Sequence, residues 1–276
     1  MCDKKVSVIM GIYNCSEYLP DAINSILNQT YSNFELILCD DKSTDDTYKV
    51  AKTFADMYPD KIILIQNEVN SKLSYTLNHC LKYATGQYVA RMDADDLSTL
   101  DRLEKQVEFL ESHPDVDLVG TSMKRFNDDG EIDVVLKPEF PNKYDLKNGV
   151  PFNHATIMTY KRVYDAVGGY RVSKMTVRSQ DYDLWFRFFA QDFKGVNLAE
   201  PLYLVREDAA AIRRRTFKVR WNIIKIRYNG YKLLGFPISS LIVPAVVEIL
   251  KGLVPYSLID MYRKYQKNKF NVKKDK

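Results

Sequence analysis

The chain has 276 residues, of which 46% are hydrophobic and 28% charged, an ordinary composition for a globular protein with a substantial core. The four cysteines show no metal-type pairing, and we expect reduced thiols. The chain opens almost directly with a strand pattern, so we expect no signal peptide. The net charge of +4 hides an asymmetry, because residues 201–276 contain 17 basic and 5 acidic residues, against 23 and 31 elsewhere. This split predicts an acidic body with a basic tail that meets a polyanionic surface.

Strand and helix patterns alternate through the first 125 residues. Short apolar runs predict strands at 6–10, 34–39, 61–66, 88–92 and 117–123. Helical periodicity fills most of the intervals, and this alternation predicts βαβ units and a mostly parallel sheet. The helix boundaries are predicted at Ser16, at Ser43 or Thr44, and at Gly86, as two N-caps and one C-terminal glycine.

An acidic run follows the fourth predicted strand directly. Asp93, Asp95 and Asp96 cannot continue into a core unpaired, so we expect them just past the carboxyl end of that strand, where open α/β sheets bind ligands. In an extended chain the carboxylates of Asp93 and Asp95 point the same way and can share one hard divalent cation. The alternative is a solvated loop in which Asp93 or Asp96 caps the next helix.

The second half of the chain is less regular and ends in a different composition. From 124 to 176 the alternation loosens into loops, and a helix is predicted to start at 180, with Ser179 as its cap. Beyond about 205, basic residues interleave with aromatic and apolar ones, and the uncharged stretch 233–247 is too short for a spanning helix. Such a tail is typical of a helix in a membrane interface, or of two ordinary packing helices with solvated basic faces.

Five segments in order resemble the family 2 glycosyltransferases of the GT-A fold. They are residues 6–14, 25–31, 40–47, 90–96 and 180–185, and the resemblance covers roughly residues 5–205. It implies an α/β, GT-A catalytic domain at 1–205, with a nucleotide-sugar half at about 1–125 and an acceptor half at about 126–205. Residues 206–276 would form the helical basic tail.

The resemblance implies inverting transfer of a sugar from a nucleotide donor to an acceptor hydroxyl. Asp93 and Asp95 match the residues that hold Mn²⁺ or Mg²⁺ on the donor diphosphate, with Ala94 between them, and Asp96 would ligate the metal or order the site. Asp181 matches the catalytic base. The family commonly has Glu before this aspartate, whereas this chain has Gln180, which should lower the pKa of Asp181 slightly.

The resemblance also indicates the donor pocket. Ile12, Tyr13 and Asn14 match the loop around the base, Asp41 (with Asp40 as an alternative) matches the acid that reads a pyrimidine edge, and Lys72 matches a basic residue near the donor. A UDP-sugar is favoured and a dTDP-sugar is possible. His154 falls in a region that the family uses near donor or acceptor, although a lone histidine is more often structural.

The predicted protein is a metal-dependent glycosyltransferase of cell-surface polysaccharide biosynthesis, acting on a glycan or lipid-linked acceptor and peripheral to the cytoplasmic face of the membrane. Two other readings remain open: a polyprenyl-phosphate sugar synthase, which would not need Asp181, and a catalytically silent sugar-binding protein. A dehydrogenase is disfavoured because no GxGxxG follows the first strand. Nucleic-acid binding is disfavoured because the body is acidic.

Overall fold

Strands and helices alternate along the chain in the computed structural model, which describes residues 4–127, 130–207 and 216–253. The strands are β1 Val6–Ile12, β2 Phe34–Asp40, β3 Ile62–Gln66, β4 Tyr88–Arg91, β5 Leu97–Ser98, β6 Leu118–Asn127, β7 Gly130–Val135, β8 Met158–Tyr160 and β9 Gly195–Arg206. The helices are α1 Leu19–Leu27, α2 Thr47–Met57, α3 Lys72–Tyr83, α4 Arg102–Ser112, α5 Lys161–Val167, α6 Gln180–Ala190, α7 Phe217–Leu233 and α8 Ile242–Leu253. Short 3-10 helices lie at Lys143–Lys147, His154–Thr156 and Ile238–Leu241.

All of these strands join one sheet, in the order β3-β2-β1-β4-β8-β6-β9-β5, and β7 pairs with the second half of β6. The pairs that join β1 to β2, β2 to β3 and β1 to β4 are parallel, as the sequence predicts for the first half. Beyond β4 the sheet is mixed, because β8 runs antiparallel to both β4 and β6. The expectation of a mostly parallel sheet is therefore wrong for the second half, where β7 and β8 lie in the region predicted as loops.

The core forms because the central strands are covered on both faces. β1 and β2 have almost no exposed side chain, as expected of parallel strands with helices on each side. One apolar layer packs α1 and α4 against the sheet, and the other packs α3 and α6. The thiols of Cys39 and Cys80 are free and buried in the second layer.

The predicted helix caps are wrong, because their side chains bind elsewhere. α1 begins at Leu19, and the hydroxyl of Ser16 donates to Asp45 instead. α2 begins at Thr47, and the hydroxyl of Ser43 donates to Asp40. Hydrogen bonds to nearby loops compete with capping in this way.

Gly86 is also not the C-terminal glycine of α3, which ends at Tyr83. A side chain at Gly86 would place its Cβ 2.6 Å from the carbonyl oxygen of Lys5 and 2.7 Å from the amide nitrogen of Ser7. The glycine therefore permits close backbone approach between this turn and β1. Ser179 does precede α6, but its side chain makes no cap hydrogen bond.

The described part of the tail is helical, as predicted, and packs onto α6. Gly230 of α7 faces the ring of Phe186, where a Cβ would lie 2.2 Å from the nearest ring carbon. The Arg227 guanidinium is buried over the Tyr182 ring, at 5.4 Å from its centre. Across the described residues no helix is long and apolar enough to cross a membrane. The predicted basic cluster at 213–215 and the end of the tail, 254–276, lie outside the described residues.

Candidate active site

The parallel register brings the ends of β1, β2 and β4 to one edge of the sheet. Ile12 pairs with Asp40, and the amide of Asp41 donates to the carbonyl of Ile12 over 2.9 Å. The amide of Met92 donates to the carbonyl of Ile9 over 3.1 Å, so Asp93 emerges beside the end of β1. The predicted donor loop, the predicted base-reading acid and the acidic run therefore lie along the same carboxyl edge, where open α/β sheets bind ligands.

Three strained backbone positions mark this edge. Asn14, Lys42 and Lys72 have φ angles of 47°, 61° and 71°, a left-handed conformation that side chains other than glycine rarely adopt. They lie after β1, after β2 and at the start of α3. Such strain persists where surrounding contacts over-determine it, and it clusters at ligand sites. The predicted donor residues Asn14 and Lys72 are thus two of the three strained positions.

Hydrogen bonds between the loops hold Asn14 in this conformation. The backbone amide of Thr44 donates to the Asn14 side chain over 2.9 Å, and the amide of Asn14 donates to the Ser43 hydroxyl over 3.1 Å. Tyr13 beside it is 46% exposed, so its ring is available for stacking on a flat ligand. The side chain of Ile12 is fully buried, so only its backbone reaches this edge.

Asp40 and Asp41, which the sequence could not separate, have different partners. Asp40 is fully buried and accepts hydrogen bonds from Ser43 and from the side chain of Gln66, which close the turn after β2. Asp41 turns instead toward α3 and accepts the backbone amides of Ser71 (2.7 Å) and Lys72 (2.9 Å). Asp41 therefore caps α3 from a distance and holds the strained start of that helix.

The acidic run divides into two exposed carboxylates and one buried one. Asp93 and Asp95 are partly exposed at the edge, whereas Asp96 is 2% exposed. Asp96 accepts the hydroxyl of Tyr203 over 2.9 Å and the backbone amide of Arg206 over 2.8 Å. Burial, with the nearby charges of Asp93 and Asp95, raises the pKa of Asp96 above its usual range. These contacts favour the ordering role for Asp96, because both of its oxygens are already engaged.

Tyr203, on β9, fixes this turn. Its hydroxyl also accepts the backbone amide of Asp93, over 3.0 Å, so one phenol joins both ends of the acidic run. The adjoining Arg206, at the end of β9, lies over the rings of Tyr18 and Phe126, at 4.3 and 4.7 Å from their centres. Its Nε donates to the carbonyl of Asp95 over 3.4 Å. Sequence reasoning missed both residues, since neither belongs to a recognisable motif.

Asp93 and Asp95 fit a divalent cation as a partial ligand set. Mg²⁺ and Mn²⁺ take oxygen ligands, and an ion held by one or two carboxylates completes its shell with water and phosphate oxygens. Within the described ranges, no three His, Cys, Asp or Glu side chains form a ready-made metal cluster. The carboxylate of Asp93 is paired with the buried guanidinium of Arg91, one of whose two hydrogen bonds measures 2.7 Å. Arg91 thereby balances part of the negative charge of this run.

Asp181 lies in the first turn of α6, as predicted. Burial raises the pKa of its carboxyl above the ordinary value, while the amide of Tyr182 and the charges of Arg91 and Lys137 lower it. The amide of Tyr182 donates to the carboxylate over 2.8 Å. A carboxyl with a raised pKa is a stronger proton acceptor than one in water, which suits a general base. The sequence-based expectation of a slightly lowered pKa considered only the replacement of a neighbouring Glu and not this desolvation.

Two neighbours of Asp181 follow from the tertiary structure. Arg91 contacts Asp93 directly, and its charge also lowers the pKa of Asp181. One cation therefore acts on both the predicted metal site and the predicted base. Lys137, after β7, donates to the carbonyl of Val150 over 3.0 Å, and burial lowers its pKa. No sequence signal distinguishes Lys137 from the other lysines of the loop.

His154 has packing partners. Its Nε2 lies 2.9 Å from the hydroxyl of Tyr170, and its ring makes edge contacts with Tyr170 and Trp185. Burial and the charge of Arg91 lower the pKa of His154 well below its usual value, so the ring is neutral. These contacts account for the histidine without a ligand.

A model of the family described as "Glycosyl transferase family 2" matches residues 7–168. The chain belongs to this family. It is 46% identical over 260 residues to the putative glycosyltransferase EpsE of Bacillus subtilis, covering 94% of this chain and 93% of the relative. It is 28% identical to the Escherichia coli protein WfaP, named UDP-Glc:alpha-D-GlcNAc-diphosphoundecaprenol beta-1,3-glucosyltransferase, over 91% of this chain and 95% of that one.

Solved structures show the same fold. TarS of S. aureus in complex with UDP-GlcNAc superposes with a TM-score of 0.64 at 20% identity, over 80% of this chain and 66% of that chain. The Pyrobaculum calidifontis mannosyltransferase PcManGT, in complex with GDP-Man and Mn²⁺, gives 0.62 at 19% identity, over 80% and 62%. The chain thus spans about two thirds of the length of these solved chains. The predicted GT-A fold and family are confirmed.

Proposed function

We propose that this protein transfers a sugar, with inversion, from a nucleotide diphosphate sugar to a hydroxyl of a glycan or lipid-linked acceptor. The observation that carries the proposal is the position of Arg91. Its guanidinium pairs with Asp93 and its charge lowers the pKa of Asp181, so a predicted diphosphate site and a predicted base flank one buried cation. Such an arrangement would serve a reaction in which a leaving diphosphate and an attacking hydroxyl meet at one sugar ring.

Each centre has a distinct chemical task in this proposal. Asp93 and Asp95 would hold a Mg²⁺ or Mn²⁺ ion, which when bound neutralises charge that develops on the leaving diphosphate. Asp181 accepts the proton of the attacking hydroxyl, and its burial strengthens it as a base. Asp96 and Tyr203 hold the acidic run in place, and Arg206 adds a positive charge at the same edge.

The donor proposed is a UDP-sugar, with a dTDP-sugar as the second choice. Tyr13 offers an exposed ring for the base, and Asp41 offers a carboxylate to a pyrimidine edge. The name of WfaP specifies UDP-Glc, and TarS was solved with UDP-GlcNAc. PcManGT was solved with GDP-Man, so GDP-sugars belong in any test.

The acceptor proposed is a lipid-linked or glycan intermediate of cell-surface polysaccharide biosynthesis. This assignment draws on the names of similar proteins, among them WfaP with its diphosphoundecaprenol acceptor and the O-antigen biosynthesis glycosyltransferase WbnJ. Lipid-linked acceptors require an enzyme that works at a membrane surface.

We further propose that the tail binds an anionic membrane surface from the cytoplasmic side. One face of α7 alternates exposed cations with exposed aromatic rings at helical spacing: Lys218, Trp221, Lys225, Tyr228 and Lys232. The outer face of α8 exposes apolar side chains, among them Ile242, Val243 and Leu250, at 63%, 71% and 55%. The two arginines of α7 instead turn inward: Arg227 is buried, and Arg220 pairs with buried Glu248 over 3.2 Å. Lysines beside exposed aromatic and aliphatic residues are the composition of a membrane-interface helix.

The enzymatic proposal is tested by calorimetric titration of UDP-, dTDP- and GDP-sugars, with and without Mn²⁺. We expect one UDP-sugar to bind in a metal-dependent way, and Asp181→Asn to bind it nearly as tightly while losing transfer. Asp165→Asn, an exposed carboxylate in the same half of the chain, is the matched control and should keep full activity. Near-normal turnover by Asp181→Asn would refute the base, and failure of every donor to bind would favour a silent binding protein.

The membrane proposal is tested by sedimentation with phosphatidylglycerol and phosphatidylcholine vesicles. Reversing the charge of Lys218, Lys225 and Lys232 to Glu should abolish binding to anionic vesicles and leave solution activity on a soluble acceptor intact. Reversing three exposed lysines of the body, Lys49, Lys82 and Lys194, should leave vesicle binding largely unchanged. Equal losses in the two triple variants would refute a specific role for the α7 face, because they would report net charge alone.

A further inference from the structure

A side-chain amide behind Asp41 limits how that carboxylate can bind a base. Asn67, which follows β3 and is 3% exposed, donates from Nδ2 to Asp41 Oδ1 over 2.8 Å. The same oxygen accepts the amide of Ser71, whereas Oδ2 accepts only the amide of Lys72. A carboxylate has about four acceptor positions, two on each oxygen. Contacts among the described residues therefore fill Oδ1 and leave one position on Oδ2.

The amide of Asn67 is held in this orientation by all of its own contacts. Its second Nδ2 hydrogen is donated to Thr76 over 3.0 Å. Its Oδ1 lies 2.8 Å from Nδ1 of His79 and 3.5 Å from the thiol of Cys39. Because Oδ1 can only accept, His79 must carry its proton on Nδ1. Rotating the amide by 180° would set its oxygen against the Asp41 carboxylate, so the orientation with Nδ2 toward Asp41 is strongly favoured.

The ring of His79 is itself fixed. It contacts Tyr75 and Tyr83 on the same helix, with ring centres 6.2 and 5.7 Å apart. The packed ring of His79 thus helps to orient the amide of Asn67. That amide in turn leaves the carboxylate of Asp41 one open acceptor position. Neither His79 nor Asn67 carries a role in the transfer reaction proposed above.

We propose that Asn67 is a positioning residue that sets base selectivity by leaving Asp41 a single open acceptor position. Uracil and thymine present one N–H between two carbonyl groups, so one carboxylate position satisfies that edge. Guanine presents two adjacent donors, N1–H and the N2 amine, which call for both oxygens of one carboxylate. With Oδ1 filled, guanine would keep one donor unpaired, and an unpaired donor in a binding site is costly.

This inference rests on the proposed function, in that it takes Asp41 to face the base of the donor. It also gives His79 an indirect role, because His79 acts only through Asn67. The consequence is that loss of the amide should not merely weaken nucleotide binding. It should also reduce the preference for uracil over guanine.

The test compares UDP and GDP dissociation constants, measured with Mn²⁺ by calorimetry, for the wild type and two variants. Asn67→Leu keeps approximate size and removes the donor, which opens a position on Oδ1. We expect the UDP dissociation constant to rise about tenfold, and the ratio of GDP to UDP dissociation constants to fall at least tenfold. The donor KM should rise in parallel, with kcat at saturation within about twofold of the wild type.

His79→Phe is the second variant and keeps the ring packing. It removes the proton that helps to fix the amide, so we expect the ratio to fall in the same direction but by only about threefold, without burial of a new polar group. Lys82→Ala, exposed on the same helix, is the control and should leave the ratio unchanged.

The outcomes separate the two proposals. If the wild type binds UDP with its metal but Asn67→Leu and His79→Phe keep the wild-type ratio, the selectivity role is wrong and the transferase proposal stands. If Asn67→Leu does not fold, the ratio for His79→Phe decides. If the wild type binds neither nucleotide, the proposed function itself fails.

Discussion

Tyr203→Phe should destabilise the protein through the acidic run. The phenol is fully buried, donates to the Asp96 carboxylate over 2.9 Å and accepts the amide of Asp93 over 3.0 Å. One hydrogen bond contributes about 0.5–1.5 kcal/mol, and the buried carboxyl of Asp96 and amide of Asp93 left without this partner cost about 1–3 kcal/mol more. We therefore expect the free energy of unfolding to fall by about 2–4 kcal/mol at neutral pH.

Tyr164→Phe is the matched control, because it removes the same atom from an equally buried ring. Its hydroxyl lies 2.9 Å from the hydroxyl of Tyr170, a neutral partner that also contacts His154. A neutral pair contributes about 1 kcal/mol, so the loss should be smaller. Both variants would be compared by urea unfolding, with the slope against urea checked for constancy.

The same Tyr203→Phe variant should weaken metal-dependent donor binding several-fold, since it releases both ends of the run that includes Asp93 and Asp95. Equal losses of stability for Tyr203→Phe and Tyr164→Phe would refute the reasoning, because the two contacts of Tyr203 with the acidic run would then add nothing to one contact between phenols. If Tyr203→Phe is destabilised but binds the donor as the wild type does, the acidic turn keeps its shape without the hydroxyl of Tyr203.

Two further predictions concern Asp181 and the tail. The pKa of Asp181 is raised in the folded protein, so its ionised form destabilises the fold. Asp181→Asn should therefore raise the free energy of unfolding at pH 8. This gain should vanish as the pH falls below the ordinary aspartate pKa of 3.8, where the carboxyl is protonated in both states. A pH series of urea unfolding checks this, and a gain that persists at pH 3 would contradict it. Gly230→Ala should detach α7 from α6, because the new Cβ would lie 2.2 Å from the ring of Phe186. Such overpacking costs about 1–3 kcal/mol or more, which exceeds the gain of about 1 kcal/mol in helix propensity. Asn229→Ala, on the exposed side of the same turn, should be neutral or stabilising in the same thermal unfolding experiment, and equal behaviour of the two variants would show that this contact does not matter.

Local patterns were sufficient where burial on both faces of a strand left a continuous apolar run. β1, β2 and β4 begin within one residue of their predicted starts, because such runs are short and bounded by polar residues. The helix caps failed for the opposite reason. Ser16 and Ser43 have capping chemistry, but their hydroxyls find Asp45 and Asp40 first, and such competition between nearby partners is not visible in a spacing rule.

The three acids after β4 also combine one feature that the local sequence decides with one that the tertiary structure decides. Their place at the carboxyl edge follows from the sequence, because charged side chains cannot continue into a core. Their different environments do not. Asp96 is buried because Tyr203 and Arg206, more than 100 residues later, supply its hydrogen bonds, whereas Asp93 and Asp95 stay accessible.

By itself, the sequence determined the α/β class, the family, the strands of the first half and the position of the acidic run at their ends. Those features depend on hydrophobic periodicity and on short motifs, which act over a few residues. The tertiary structure decided the antiparallel pairing of β8, the separate partners of Asp40 and Asp41, and the contact of Arg91 with Asp93. It also decided the packing of the tail on α6 and the orientation of Asn67. These features depend on which distant residues come to share one edge of the sheet, and no local pattern encodes that.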